Sequence, residues 1–184
     1  MNRSARIASL VFGVLMLALS VLVTLEALLR KLLQFSFGGV DELSGYVVAI
    51  CAPLAFAVAL IDQAHIRINL LYMKLSLRTR AILDGLSALS LLLLALFLGY
   101  FTVTTVQETS DYASLAQTPW ATPLIYPQSL WALAMAFFAL TAFVLGVKAA
   151  CLMWSKRWQV LNKSFGPGSV QEELESELAD LQRR

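Results

Sequence analysis

Four long apolar runs alternate with shorter polar segments along the 184-residue chain. Their only charged members are Glu26 in the first run and Lys148 in the fourth. The runs cover approximately residues 7–29, 43–61, 85–107 and 130–154. A helix rises about 1.5 Å per residue, so runs of about twenty residues fit a hydrocarbon core of roughly 30 Å. The pattern predicts an all-α membrane protein with four transmembrane helices.

The second run, Leu43–Ile61, has nineteen uncharged residues and chemically marked ends. Asp41 and Glu42 precede it, where acids offset the positive end of a helix dipole. A second interpretation is that these two acids present negative charge to a partner protein. Inside the run, alanines recur at helical spacing, which favours close packing against another helix. These alanines are Ala52, Ala55 and Ala59.

A polar link follows the second run and extends from Asp62 to Asp84. Its leucines alternate loosely with basic and polar residues, which predicts an amphipathic helix in the membrane interface between spans two and three. Further along, Gly166-Pro167-Gly168 separates an acidic tail from the last run. The predicted organisation is therefore a membrane domain at 1–161 and a cytoplasmic acidic tail at 162–184.

The composition agrees with a membrane protein. Apolar residues make up 59% of the chain and charged residues 14%, and the mean hydropathy is +0.72. Soluble domains are nearer 45–50% apolar and about 25% charged. Basic residues lie before the first run, in the polar link and after the fourth run, whereas residues 108–128 contain none. The positive-inside rule then places both termini and the polar link in the cytoplasm.

Residues suited to catalysis or metal binding are scarce. His65 is the only histidine, and Cys51 and Cys151 fall in or beside apolar runs, as small buried hydrophobes do. The sequence contains no phosphate-binding glycine loop and no nucleophile–base set. Basic residues spread along membrane edges do not predict nucleic-acid binding. We therefore predict that the protein is not an enzyme and has no catalytic, cofactor or metal site.

Glu26 allows two interpretations. It lies four residues before Arg30, so the two side chains can pair on one face of a helix. An acid inside a membrane span can instead serve an ion-linked or interhelical role. The sequence leaves both interpretations open.

Several short motifs, in a fixed order along a four-span chain, carry a resemblance to a known family. They are Asp41-Glu42-Leu43-Ser44-Gly45-Tyr46, His65-Ile66-Arg67-Ile68-Asn69, Leu77-Arg78-Thr79-Arg80, and Thr118-Pro119-Trp120 through Pro127. With these motifs the chain resembles the small membrane subunit (DctQ-like) of tripartite ATP-independent periplasmic (TRAP) transporters over about residues 7–157. Asn69 stands where that family often has an acid.

The resemblance implies a scaffold role in the bacterial inner membrane. In that family a periplasmic binding protein delivers a substrate, often an organic acid, to a large membrane subunit driven by a sodium or proton gradient. The small subunit supports the large one and does not hold the substrate. The implied partners are thus the large TRAP membrane subunit, the binding protein and membrane lipid. The implied interface residues are Asp41, Glu42, Ser44 and Gly45 on the outer side, and His65, Arg67 and Asn69 on the inner side.

Two alternatives from other functional classes stay open. The chain can be a small self-assembling transporter or channel, in which case Glu26 is the candidate essential acid. It can also be a membrane anchor of a redox complex, although one histidine excludes bis-histidine haem ligation within a single chain.

Overall fold

The chain forms helices joined by short loops. The computed structural model describes residues 3–62, 72, 74–118, 120–166 and 178, and within these ranges no β-strand is present apart from one isolated bridge between Leu115 and Pro123. The helices are α1 (Arg3–Leu33), α2 (Val40–Ile61), α3 (Leu77–Asp111), α4 (Ile125–Trp154) and α5 (Trp158–Phe165). The first four are long and apolar enough to cross a membrane, which confirms the predicted fold class.

Helices α3 and α4 begin five residues or more before their apolar runs. Helix α3 begins at Leu77 because Ser76 caps it: the Ser76 hydroxyl accepts a hydrogen bond from the backbone N–H of Thr79 at 3.3 Å. Helix α4 begins at Ile125 and includes Pro127 in its first turn. Proline is tolerated there because N–H groups of a first turn have no acceptor inside the helix.

Two predicted segments are described only in part. The predicted interfacial helix of the polar link rests on the alternation over residues 69–80, of which 69–71 and 73 lie outside the described residues, whereas residues 74–76 are not helical and helix α3 begins at Leu77. Most of the acidic tail lies on residues 167–177 and 179–184, outside the described residues. Both therefore stay predictions. The described part of the chain divides into two compact units, made of residues 1–64 with 93–143 and of residues 65–92 with 144–184, and the division falls within α3 and α4.

In the first unit, α1 packs along α2 and small side chains occupy much of the buried surface. The rings of Phe56 on α2 and Phe138 on α4 pack with centroids 5.9 Å apart. Small side chains let helix backbones approach closely, which is the main source of helix association inside a bilayer. The fully or nearly fully buried alanines are Ala8, Ala57, Ala95, Ala134 and Ala142.

In the second unit, α3 and α4 pack together through reciprocal glycine positions. Gly85 of α3 faces the Met153 side chain of α4, and Gly146 of α4 faces the Leu92 side chain of α3. A Cβ atom added at Gly146 would lie 2.7 Å from Leu92 Cδ2, closer than real Cβ contacts. Helix α5 is held against this pair by a small core of Ala81, Ala149, Leu161 and Phe165.

We expect Gly146→Ala to destabilise the protein although alanine is the better helix former. The overlap with Leu92 costs about 1–3 kcal/mol, which exceeds the roughly 1 kcal/mol that alanine gains in helix propensity. Thermal unfolding in detergent should show a lower Tm. Gly99→Ala on α3 is the matched control, because a Cβ there meets no atom within 4 Å. An equal or higher Tm for Gly146→Ala would contradict the reciprocal packing.

Candidate functional site

Glu26 ties the loop after α1 back onto that helix. The residue is only 4% exposed, and its Oε1 accepts hydrogen bonds from Arg30 Nη2 at 2.9 Å and Ser36 Oγ at 2.5 Å. Its Oε2 accepts from the backbone N–H of Phe37 at 3.0 Å. The predicted pair with Arg30 is therefore present, and two further donors come from the loop. Hydrogen bonds to both oxygens replace the hydration that a buried carboxylate loses. Here those bonds also connect the loop to α1, and we call such a connection a tie.

Glu42 makes a second tie, from α2 to the loop between α3 and α4. The residue is 8% exposed, and its Oε1 accepts a hydrogen bond from the Tyr46 hydroxyl at 2.6 Å. Its Oε2 accepts from the hydroxyl of Thr118, which is 76 residues away along the chain. Tyr46 lies one helical turn after Glu42, so α2 itself orients the carboxylate toward the loop.

The loop at residues 112–124 also pairs with itself. The backbone N–H of Ala116 donates to the carbonyl oxygen of Thr122 at 2.9 Å, and that of Leu124 donates to Ser114 at 3.0 Å. The predicted break in helical structure between spans three and four therefore takes the form of a short paired loop. These backbone bonds within the loop help to define its shape.

Gly39 joins the two loops through its contact with Trp120. Gly39 has φ +139°, a conformation that side chains rarely adopt, and an added Cβ would overlap the Trp120 indole. The backbone at the start of α2 therefore lies directly against the ring. Together with the hydrogen bonds of Glu26 and Glu42, this contact positions the loops at residues 34–39 and 112–124 beside the start of α2.

The predicted outer-side interface residues separate into two groups. Asp41 and Gly45 are exposed, Ser44 is half-buried with its hydroxyl donating to the Asp41 carbonyl oxygen at 2.7 Å, and Glu42 faces inward. Asp41, Glu42 and Gly45 line one recess of about 730 Å³ between the start of α2 and the 112–124 loop. The structure thus brings three of the four predicted residues to one place.

One side of α2 is uncovered along its length. The residues on this side are spaced three or four apart, and several of those in the first half of α2 are small. No atom lies within 4 Å of a Cβ added at Gly45. We call this stripe the open face of α2. It consists of the exposed residues Asp41, Gly45, Val48, Ala49 and Phe56 with the half-buried Ala52.

The predicted inner-side residues His65, Arg67 and Asn69 lie outside the described residues. Nearby in sequence, the second unit contains a polar network that the sequence analysis did not predict. Asp84 is 3% exposed, and its Oδ2 accepts hydrogen bonds from the Tyr72 hydroxyl at 2.6 Å and from Asn162 Nδ2 at 3.0 Å. This network joins the segment before α3 to α5.

A signal for Asp84 was available in the sequence. It directly precedes the uncharged third run, residues 85–107, and an acid at the edge of a membrane span needs a hydrogen-bond or charge partner. The bound predicted for the third span, residue 85, left Asp84 in the polar link. Its partner Asn162 is 78 residues away, a separation that no local pattern reports.

Both cysteines are free thiols, with Cys51 buried in α2 and Cys151 exposed on α4. Within the ranges that the structure describes, no three His, Cys, Asp or Glu side chains converge in the way a metal ion requires. The polar groups described above bond to one another instead, and their arrangement supports positioning of helices and loops.

The family model of the DctQ component of tripartite ATP-independent periplasmic transporters matches residues 19–152. The chain belongs to the DctQ family. No curated protein matches it. The matched region includes both buried glutamates, the open face of α2 and the 112–124 loop. This DctQ protein is therefore a small, multi-pass inner-membrane component of a TRAP transporter, and its family works with a large membrane subunit and a periplasmic binding protein.

We expect Glu26→Ala to loosen the loop at residues 34–39. The change removes the acceptor for Ser36 Oγ and the Phe37 N–H, and because both residues are exposed and can bond to water instead, each lost hydrogen bond costs about 0.5–1.5 kcal/mol. Hydrogen–deuterium exchange should be faster at the Phe37 amide, and the Tm should fall. Glu108→Ala is the matched control, because Glu108 is an exposed acid on α3. Unchanged exchange at Phe37 would contradict the tie.

Proposed function

We propose that this DctQ protein is the stationary scaffold subunit of a secondary-active TRAP transporter. It holds a large membrane subunit that carries an organic acid across the bilayer, driven by a sodium or proton gradient. A periplasmic binding protein delivers that substrate. The scaffold itself binds no substrate and catalyses no reaction.

The observation that carries this proposal is that the carboxylates of Glu26 and Glu42 are hydrogen-bonded to loops of their own chain. Both carboxylates are buried, and each bonds to a loop of its own chain. A subunit that stays fixed while its partner moves needs loops with one defined position, and these two ties supply it. An acid that binds and releases an ion must instead exchange its partners during transport.

The open face of α2 is the proposed contact with the large subunit. Gly45, Ala49 and Ala52 give it a shallow surface, and such surfaces let a second helix approach closely in a bilayer. Asp41 and Ser44 mark its outer end, beside the recess that Glu42 helps to line. His65, Arg67 and Asn69 complete the proposed interface on the inner side.

The self-contained transporter is the weaker hypothesis, because it assigns an ion-linked role to Glu26. The Glu26 carboxylate accepts three hydrogen bonds, from Arg30, Ser36 and Phe37. These bonds hold the loop in place, and releasing them for transport would release the loop as well. The redox-anchor hypothesis has no described feature in its favour.

Affinity purification from the native membrane tests the scaffold role and its interface. Wild-type chain should bring down a much larger polytopic subunit at equal stoichiometry. Gly45→Leu should reduce that recovery at least tenfold, because the leucine side chain projects from the open face of α2 and separates the helices. The matched control is Gly99→Leu on α3, where an added Cβ also meets no atom within 4 Å.

The outcomes of this experiment separate the two claims. Recovery of a homo-oligomer without a large subunit would overturn the scaffold role. Full recovery with Gly45→Leu would overturn the interface while leaving the role intact. Thermal unfolding of each variant shows whether the chain itself is still folded.

We further expect Glu26→Gln to leave the ion dependence of uptake unchanged. Glutamine keeps an acceptor oxygen at this position but loses the charge, so a positioning role survives in part whereas an ion-linked role does not. Uptake by the reconstituted complex, normalised to folded protein, should stay within about threefold of wild type, because glutamine keeps an acceptor oxygen for the loop donors of Ser36 and Phe37. A changed ion requirement would support the self-contained transporter instead.

A further inference from the structure

The turn between α4 and α5 forms a recess that no role in scaffolding requires. Its volume is about 380 Å³, and it belongs to the second unit. Cationic side chains from the turn stand beside an indole ring and aliphatic groups. The lining residues are Leu77, Lys156, Arg157, Trp158, Gln159 and Val160.

Backbone hydrogen bonds fix the shape of this turn. The N–H of Lys156 donates to the Met153 carbonyl oxygen, and the N–H of Arg157 donates to that of Leu152, both at 3.1 Å. On the other side of the turn, Leu161 and Phe165 anchor α5 in the core of the unit. Backbone bonds therefore define the turn, and the side chains of Lys156 and Arg157 are exposed.

Among the described residues, no carboxylate balances the charge of this surface. In the described part of the second unit, Asp84 is the acid, and its carboxylate is buried against Tyr72 and Asn162. Neither Lys156 nor Arg157 has a carboxylate partner among the described residues. Arg78 adds a third cation beside the recess, with its guanidinium 5.6 Å from the centre of the Trp158 ring. Such a surface favours an anionic ligand.

The neighbouring residues place the recess at headgroup depth. Trp154 ends α4, one of the helices able to cross a membrane, and is 90% exposed. Exposed tryptophans at the ends of membrane spans lie at the level of the lipid headgroups. Leu77 and Val160 line the recess and are themselves partly exposed, so the site combines cations with apolar surface. A small soluble anion needs only the cations, whereas a phospholipid matches both.

We infer that this recess binds the headgroup of an anionic phospholipid. Lys156 and Arg157 neutralise the lipid phosphate, Arg78 stacked on Trp158 forms one wall, and the glycerol and upper acyl chain lie against Leu77 and Val160. The occupant is a lipid of the leaflet in which the turn lies. This inference does not rest on the proposed scaffold function, because it concerns a separate surface of the chain.

Native mass spectrometry of the purified full chain tests the inference, with phosphatidylglycerol and phosphatidylcholine added in equal amounts. Wild type should retain phosphatidylglycerol preferentially. The double variant Lys156→Gln/Arg157→Gln should lose that preference by at least tenfold, because each basic residue near an anionic lipid surface contributes a factor of about five in affinity. The matched control is Lys74→Gln/Lys163→Gln, which removes two exposed cations of the same unit outside the recess.

Several outcomes would overturn the site. Equal retention of the two lipids by wild type would show that the recess has no preference for anionic headgroups. An equal loss in the control pair would show that overall charge, not this recess, attracts the lipid. Displacement of the lipid by millimolar inorganic phosphate would identify a soluble-anion site. Thermal unfolding in neutral detergent confirms that the double variant is folded before its lipid binding is compared.

Discussion

A carboxylate withdrawn from water is costly unless the protein replaces its hydration, and at the edge of a membrane span few other donors are available. This constraint organises the first unit. Glu26 and Glu42 satisfy it with donors from the two loops, so the same hydrogen bonds compensate the burial of the acids and position the loops. Gly39 against Trp120 then completes the connection.

Helix packing and partner binding make opposite use of small side chains. Where alanines and glycines are buried, as at Ala57 or Gly146, they let two helices of the same chain approach closely. Where they are exposed, as at Gly45 on the open face of α2, the same property is available to another chain. A scaffold subunit needs both uses, because it must hold its own helices firmly and still offer a flat surface to a moving partner.

The charged residues follow a similar division. The buried acids of the described helices, Glu26, Glu42 and Asp84, are hydrogen-bonded within the chain. Lys156 and Arg157, at the turn between α4 and α5, have no carboxylate partner among the described residues and are exposed. Buried acids therefore contribute to the internal structure, whereas exposed cations are available to the membrane. The proposed lipid site would give the cations of this turn a binding role in addition to the orientation that the positive-inside rule predicts.

The four membrane spans follow from the amino-acid pattern alone, because span length and apolar composition are local properties of the chain. The pattern also indicates the Glu26–Arg30 pair, which lies within one helical turn, and the motif order that points to the DctQ family. Helix α3 begins at Leu77, after the Ser76 cap and eight residues before its apolar run. The packed helices were needed to show that Glu42 bonds to Thr118 and that Asp84 bonds to Asn162. These partners lie 76 and 78 residues apart, and hydrophobic periodicity carries no information about which distant polar groups meet once the helices pack.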